Sequence, residues 1–125
     1  MKKLFIFLIF TGFYAVFAQQ PNNSPIIPQG KWGVETISIL EKGMPIPISS
    51  EKLNYEIPNE IEVFQEEVTF VYHDKRSTLD YNVAVRNNFL CFSLCAAWKI
   101  VDNIGLELKW EDDELGVVVL IFKQN

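Results

Sequence analysis

The chain has 125 residues, with 11 Lys and Arg against 16 Asp and Glu and a formal charge of −5. A chain this short has room for one domain. Its acidic balance argues against nucleic acid or anionic lipid as a partner, since both require basic patches. One histidine and two cysteines are too few for a structural zinc site of four His and Cys ligands.

The N-terminus reads as a cleavable secretory signal peptide. Lys2 and Lys3 form a positive n-region, Leu4 to Ala18 is apolar, and Val16-Phe17-Ala18 offers small residues where a signal peptidase reads. The apolar run is too short for a spanning helix, which wants about 20 residues. Cleavage after Ala18 leaves nine Lys and Arg against sixteen Asp and Glu, a formal charge of −7. The expected product is a periplasmic or secreted domain with no membrane span. Residues 19–29 are rich in Pro, Asn and Ser and are expected to be a linker, because prolines at this density support neither helix nor central strand. Asn22-Asn23-Ser24 matches the glycosylation sequon.

The domain is expected over residues 30–125. Its first strand starts at Gly30-Lys31-Trp32 and runs to about Leu40. The apolar parity shifts between Val34 and Ile37, so a bulge or strong twist is expected there. Lys42-Gly43 is a turn. Met44-Pro45-Ile46-Pro47-Ile48 alternates with proline and belongs at an edge or in a loop. Leu53, Tyr55 and Ile57 alternate up to a break at Pro58-Asn59-Glu60. Ile61 and Val63 alternate on odd positions and Val68, Phe70 and Tyr72 on even ones, which puts a turn or bulge at Gln65-Glu66-Glu67. After the polar turn His73–Ser77, the run Leu79, Tyr81, Val83, Val85 reads as another strand, ended by Asn87-Asn88.

Phe89 to Lys99 is almost wholly apolar and reads as either a buried strand pair or a short helix. Cys91 and Cys95 lie within it. Four residues of extended strand span roughly 13 Å, whereas bonded cysteines hold their Cα atoms within about 7 Å. The pair is therefore a disulfide across a turn at Phe92-Ser93-Leu94, or two buried thiols. Asp102-Asn103 turns the chain into Ile104, Leu106, Leu108 and Trp110, which alternate with polar residues. Glu111 to Glu114 is a hairpin turn. Val117 to Phe122 is continuously apolar and should be covered on both faces. About seven to nine short strands without helical period predict an all-β antiparallel meander barrel.

Catalytic signals are weak. His73 sits in a charged turn, and no nucleophile motif stands near a base. Glu66-Glu67 and Asp112-Asp113 are neighbours on strands or turns, where consecutive side chains point apart. The acidic run Glu111–Glu114 lacks calcium-loop spacing and reads as a solvated turn. The expectation is a protein that is not an enzyme and carries no cofactor or metal.

Gly30-Lys31-Trp32 at the first strand resembles the Gly-x-Trp opening of lipocalins. Residues Ala97–Asn103, Leu106-Glu107-Leu108 and Val118–Lys123 look like the last strands of small bacterial lipocalin-like domains. The resemblance implies that Gly30 and Trp32 are structural and that Trp32 packs across the barrel floor. It also implies Lys123 as the facing basic residue, where the family typically carries Arg. It further implies a binding protein that holds a small apolar molecule, with Phe70, Tyr72, Tyr81, Leu106 and Leu108 as the candidate cavity lining. The alternative is a filled core and an interaction or inhibitor domain that acts on another exported protein.

Overall fold

The computed structural model describes residues 26–102 and 104–125. The expected signal peptide, the sequon at Asn22 and most of the expected linker lie outside them. Ten strands form one antiparallel sheet curled into a half-barrel. In chain order these are β1 (Gly30–Glu41), β2 (Met44–Pro47), β3 (Glu60–Phe64), β4 (Glu67–Val71), β5 (Arg76–Asp80), β6 (Val85–Arg86), β7 (Phe89–Cys91), β8 (Cys95–Val101), β9 (Gly105–Asp112) and β10 (Gly116–Gln124), with one helical turn, α1 (Tyr81–Ala84), between β5 and β6. The order across the sheet is β5-β4-β3-β1-β10-β9-β8-β7-β6, and β2 pairs separately with β1. The first and last strands therefore meet in the middle of the sheet. Its two ends, β5 and β6, are consecutive in the chain and are joined by α1.

β1 holds the architecture together because it is long enough to pair three ways. One edge runs along β10 from Trp32 to Ile39. Its other edge takes β3 over Gly30–Gly33 and β2 over Ser38–Glu41. The expected bulge is present: Ile121 pairs Thr36 and Phe122 pairs Val34, so Glu35 is the extra residue. That slip returns Val34 and Ile37 to one face, where both pack against the core. The β1–β2 hairpin turns through Lys42 (φ 53°) and Gly43 (φ 80°). Positive φ at both central positions matches strand twist, and Gly supplies it without strain.

The core is a continuous layer on the inner face. Trp32, Ile61, Val63, Val68, Phe70, Leu90, Leu106, Leu108, Leu120 and Phe122 are all buried. Each such side chain contributes about 1.5–3 kcal/mol relative to exposure. In β10, Val118, Leu120 and Phe122 are buried on the inner side, and Val119 is buried on the other beside Ser38 of β1, which explains the unbroken apolar run.

Two expectations are corrected. Leu53, Tyr55 and Ile57 do not form a strand. Ser49 caps a short 3-10 turn at Ser50–Lys52, accepting from the Glu51 N–H, and the chain then runs irregularly to β3. The run Leu79–Val85 is not one strand either, because α1 interrupts it. Ala84 is buried and Val83 is exposed, the reverse of the alternation. Phe89–Lys99 resolves as the strand pair β7–β8.

Packing also starts before Gly30. Ile27 is completely buried, and its N–H donates to the Tyr81 hydroxyl at 3.0 Å. The Gln29 amide donates to the Gln65 carbonyl (3.1 Å) and accepts from the Gln65 N–H (2.6 Å). The Trp32 indole N–H donates to the Pro28 carbonyl at 3.2 Å. Gly30 itself has φ 133°, and a Cβ there would stand 2.7 Å from Nε2 of Gln124. This Nε2 donates to the Gln29 carbonyl at 2.8 Å.

Candidate binding groove at the sheet rim

The proposed cavity lining folds into the core. Phe70, Tyr72, Leu106 and Leu108 are buried in one cluster, and Tyr81 packs against it. Phe70 meets Phe92 with ring centroids 5.5 Å apart, tilted by 49°. Burial pushes the Tyr81 phenol up, opposed by the hydrogen bond from Ile27. The Tyr72 phenol is raised by burial and then by the nearby Glu56 charge. Phe70, Leu106 and Leu108 keep no exposed surface at all. Trp32 is completely buried, and Lys123 is paired elsewhere. The Lys123 ammonium lies outward, 3.2 Å from Glu35 and half exposed.

A groove of about 400 Å³ lies at the rim where the β7–β8 hairpin meets the end of β9. The Cys91–Cys95 disulfide is formed, with Cα atoms 4.0 Å apart. The two cysteines pair across the hairpin, and the Phe92 N–H donates to the Leu94 carbonyl inside the turn. Leu94 and Cys95 form one wall. Strand register sets the next: Phe89 stands beside Ala97, and Ala97 beside Lys109. A shallower depression continues from Ala97 and Lys109 along β8 and β9, past the Lys99–Glu107 ion pair at 3.8 Å.

Tyr55 and Trp110 make the far wall, with ring centroids 6.3 Å apart and planes tilted by 58°. The Trp110 indole N–H donates to the Tyr55 hydroxyl at 2.7 Å, and that hydroxyl donates to Oδ2 of Asp112 at 2.7 Å. Oδ1 of Asp112 accepts from the backbone N–H groups of Glu114 and Leu115 at 2.8 and 2.9 Å. Asp112 thus caps the β9–β10 turn. The Tyr55 hydroxyl, followed by those two N–H groups, holds its carboxyl below the usual carboxylate range. The Tyr55 phenol is pushed up by burial first, and the charges of Asp112 and Asp113 add to that. Glu111 and Asp113 complete the lining.

The groove was not evident from sequence. Tyr55 looked like a strand residue, Glu111–Glu114 like plain solvated charge, and Phe89 like core, whereas Phe89 is 49% exposed. The one available signal was Trp110 at the end of an aliphatic alternation, immediately before four acids. Among the described residues, no three His, Cys, Asp or Glu converge as a metal-holding group, and no helix is long and apolar enough to cross a membrane. Compared with protein-family models, characterised proteins and solved structures, the chain matches none.

Proposed function

We propose that the protein is an exported, non-enzymatic binding module that holds a small molecule in the rim groove rather than inside the curled sheet. The observation that carries this reading is the groove itself. Its volume of about 400 Å³ falls within the range of small-ligand sites, which combine apolar walls with a few polar groups. Export is supported by the signal-like residues 1–18, and a lipocalin-like ancestry by Gly30-Lys31-Trp32. Neither fold nor ancestry specifies a ligand. The inner face, packed with Phe70, Leu106, Leu108 and Phe122, argues against a roomy internal site.

The test is a fragment screen against the isotopically labelled mature domain, read by NMR. Ligands are expected to shift the Trp110 indole N–H and the Leu94 and Phe89 amides saturably. Ligands that instead perturb the Leu106, Leu108 and Phe70 side chains would return the site to the interior and refute the proposal. A protein-interaction role is the second reading. It is favoured by Met44 and Ile46, apolar yet exposed on the proline-stiffened hairpin.

A further inference from the structure

The groove has a chemical signature that narrows its ligand class. Aromatic rings and carboxylates dominate its lining, with Lys109 as the one basic group. Tyr55 and Trp110 meet at an angle, and Phe89, also in the lining, is half exposed. Ring faces carry negative electrostatic potential and attract cations. Asp112 is tied down by three hydrogen bonds. Glu111 and Asp113 take part in no ion pair or side-chain hydrogen bond among the described residues, so their carboxylates are available to a guest.

From this juxtaposition we infer that the groove binds an organic ammonium ion, its apolar part against Phe89 and Leu94 and its cationic group between the Tyr55–Trp110 corner and the carboxylates of Glu111 and Asp113. The inference rests on the groove being the binding site. An anionic guest would meet the carboxylates of Glu111 and Asp113, and a purely apolar one would make no use of them. Lys109 opposes the cation from the β9 wall and sets an upper limit on the charge that the site favours.

The experiment uses three small probes of one shape on the full mature chain: phenethylammonium, phenethyl alcohol and phenylacetate. Binding is followed by NMR at the Trp110 indole N–H. Phenethylammonium is expected to saturate the groove about ten-fold more tightly than the alcohol, and phenylacetate to bind most weakly. Added salt should narrow the gap, because these charges are exposed. Glu111→Gln with Asp113→Asn should remove most of the ammonium preference over the alcohol. Lys109→Gln should strengthen ammonium binding. Phe89→Ala should weaken all three probes. Equal binding of ammonium and alcohol in the groove would overturn the cationic assignment and leave the groove reading intact. Absence of any saturable groove shift with all three would overturn both.

Discussion

Ile27 lies in a stretch whose composition marks it as linker, yet it is completely buried, whereas its neighbour Ile26 is 70% exposed. Truncating each to alanine separates docking from tethering. Ile27→Ala removes three buried carbons, worth roughly 2.4 kcal/mol at about 0.8 kcal/mol per methylene. A residual cavity adds to this, because residues 28 and 29 are held by the Trp32 indole and by Gln65 and Gln124 and cannot simply collapse inward. The total is about 3 kcal/mol, inside the range for buried Ile→Ala. With a urea m-value of about 2 kcal/mol/M for a small domain, the unfolding midpoint should fall by about 1.5 M. Ile26→Ala should change stability by less than about 0.5 kcal/mol. Urea melts followed by tryptophan fluorescence measure both. An unmoved Ile27→Ala midpoint, or equal effects from the two variants, would show that the domain starts at Gly30 and that residues 26–29 carry no packing.

Three further outcomes are expected. Trp32→Ala should cost about 3–5 kcal/mol, and Trp32→Phe closer to 1 kcal/mol, chiefly the lost hydrogen bond to Pro28; equal urea midpoints for the two would show that the ring is not packed. Tyr55→Phe strips Trp110 of its acceptor and Asp112 of a donor. Because the folded Asp112 pKa is depressed, its contribution is present above the unfolded value near 3.9 and is lost as pH falls through the folded pKa. The stability gap between wild type and Tyr55→Phe should therefore shrink below about pH 4, which acid-side urea melts read directly. Replacing Cys91 and Cys95 with serine opens a cross-link with a sequence separation of 4. Loop closure of that size stabilises by at most about 2 kcal/mol, so the variant should stay folded by circular dichroism and lose probe affinity in the groove as the Leu94 wall loosens.

Much of the sheet was legible in the chain because strand alternation has a period of two and shows wherever one face is buried. Ile61/Val63 and Val68/Phe70/Tyr72 announced β3 and β4 and the turn between them. The parity slip between Val34 and Ile37 announced the bulge at Glu35. Alternation misled where a local hydrogen bond captured the backbone. The Ser49 cap did so before Leu53, and the helical turn did so at Tyr81, whose carbonyl accepts from the Val85 N–H. The cysteine spacing alone required Phe92-Ser93-Leu94 to turn if the sulfurs were to bond, and they do.

What no local pattern contains is which elements meet. Burial of Ile27 depends on Tyr81, 54 positions away. The groove depends on Tyr55 crossing to Trp110 and Asp112, 55 and 57 positions on. The sequence by itself determined most strand positions, an inward apolar face and an acidic balance of charge, since each is read from residues along the chain. Tertiary structure alone decided that the inner aromatics fill the core, that Lys123 turns outward to Glu35, and that an aromatic and acidic groove opens at the rim. Those outcomes follow from how the sheet curls and which strand ends it brings together, and a period of two does not encode either.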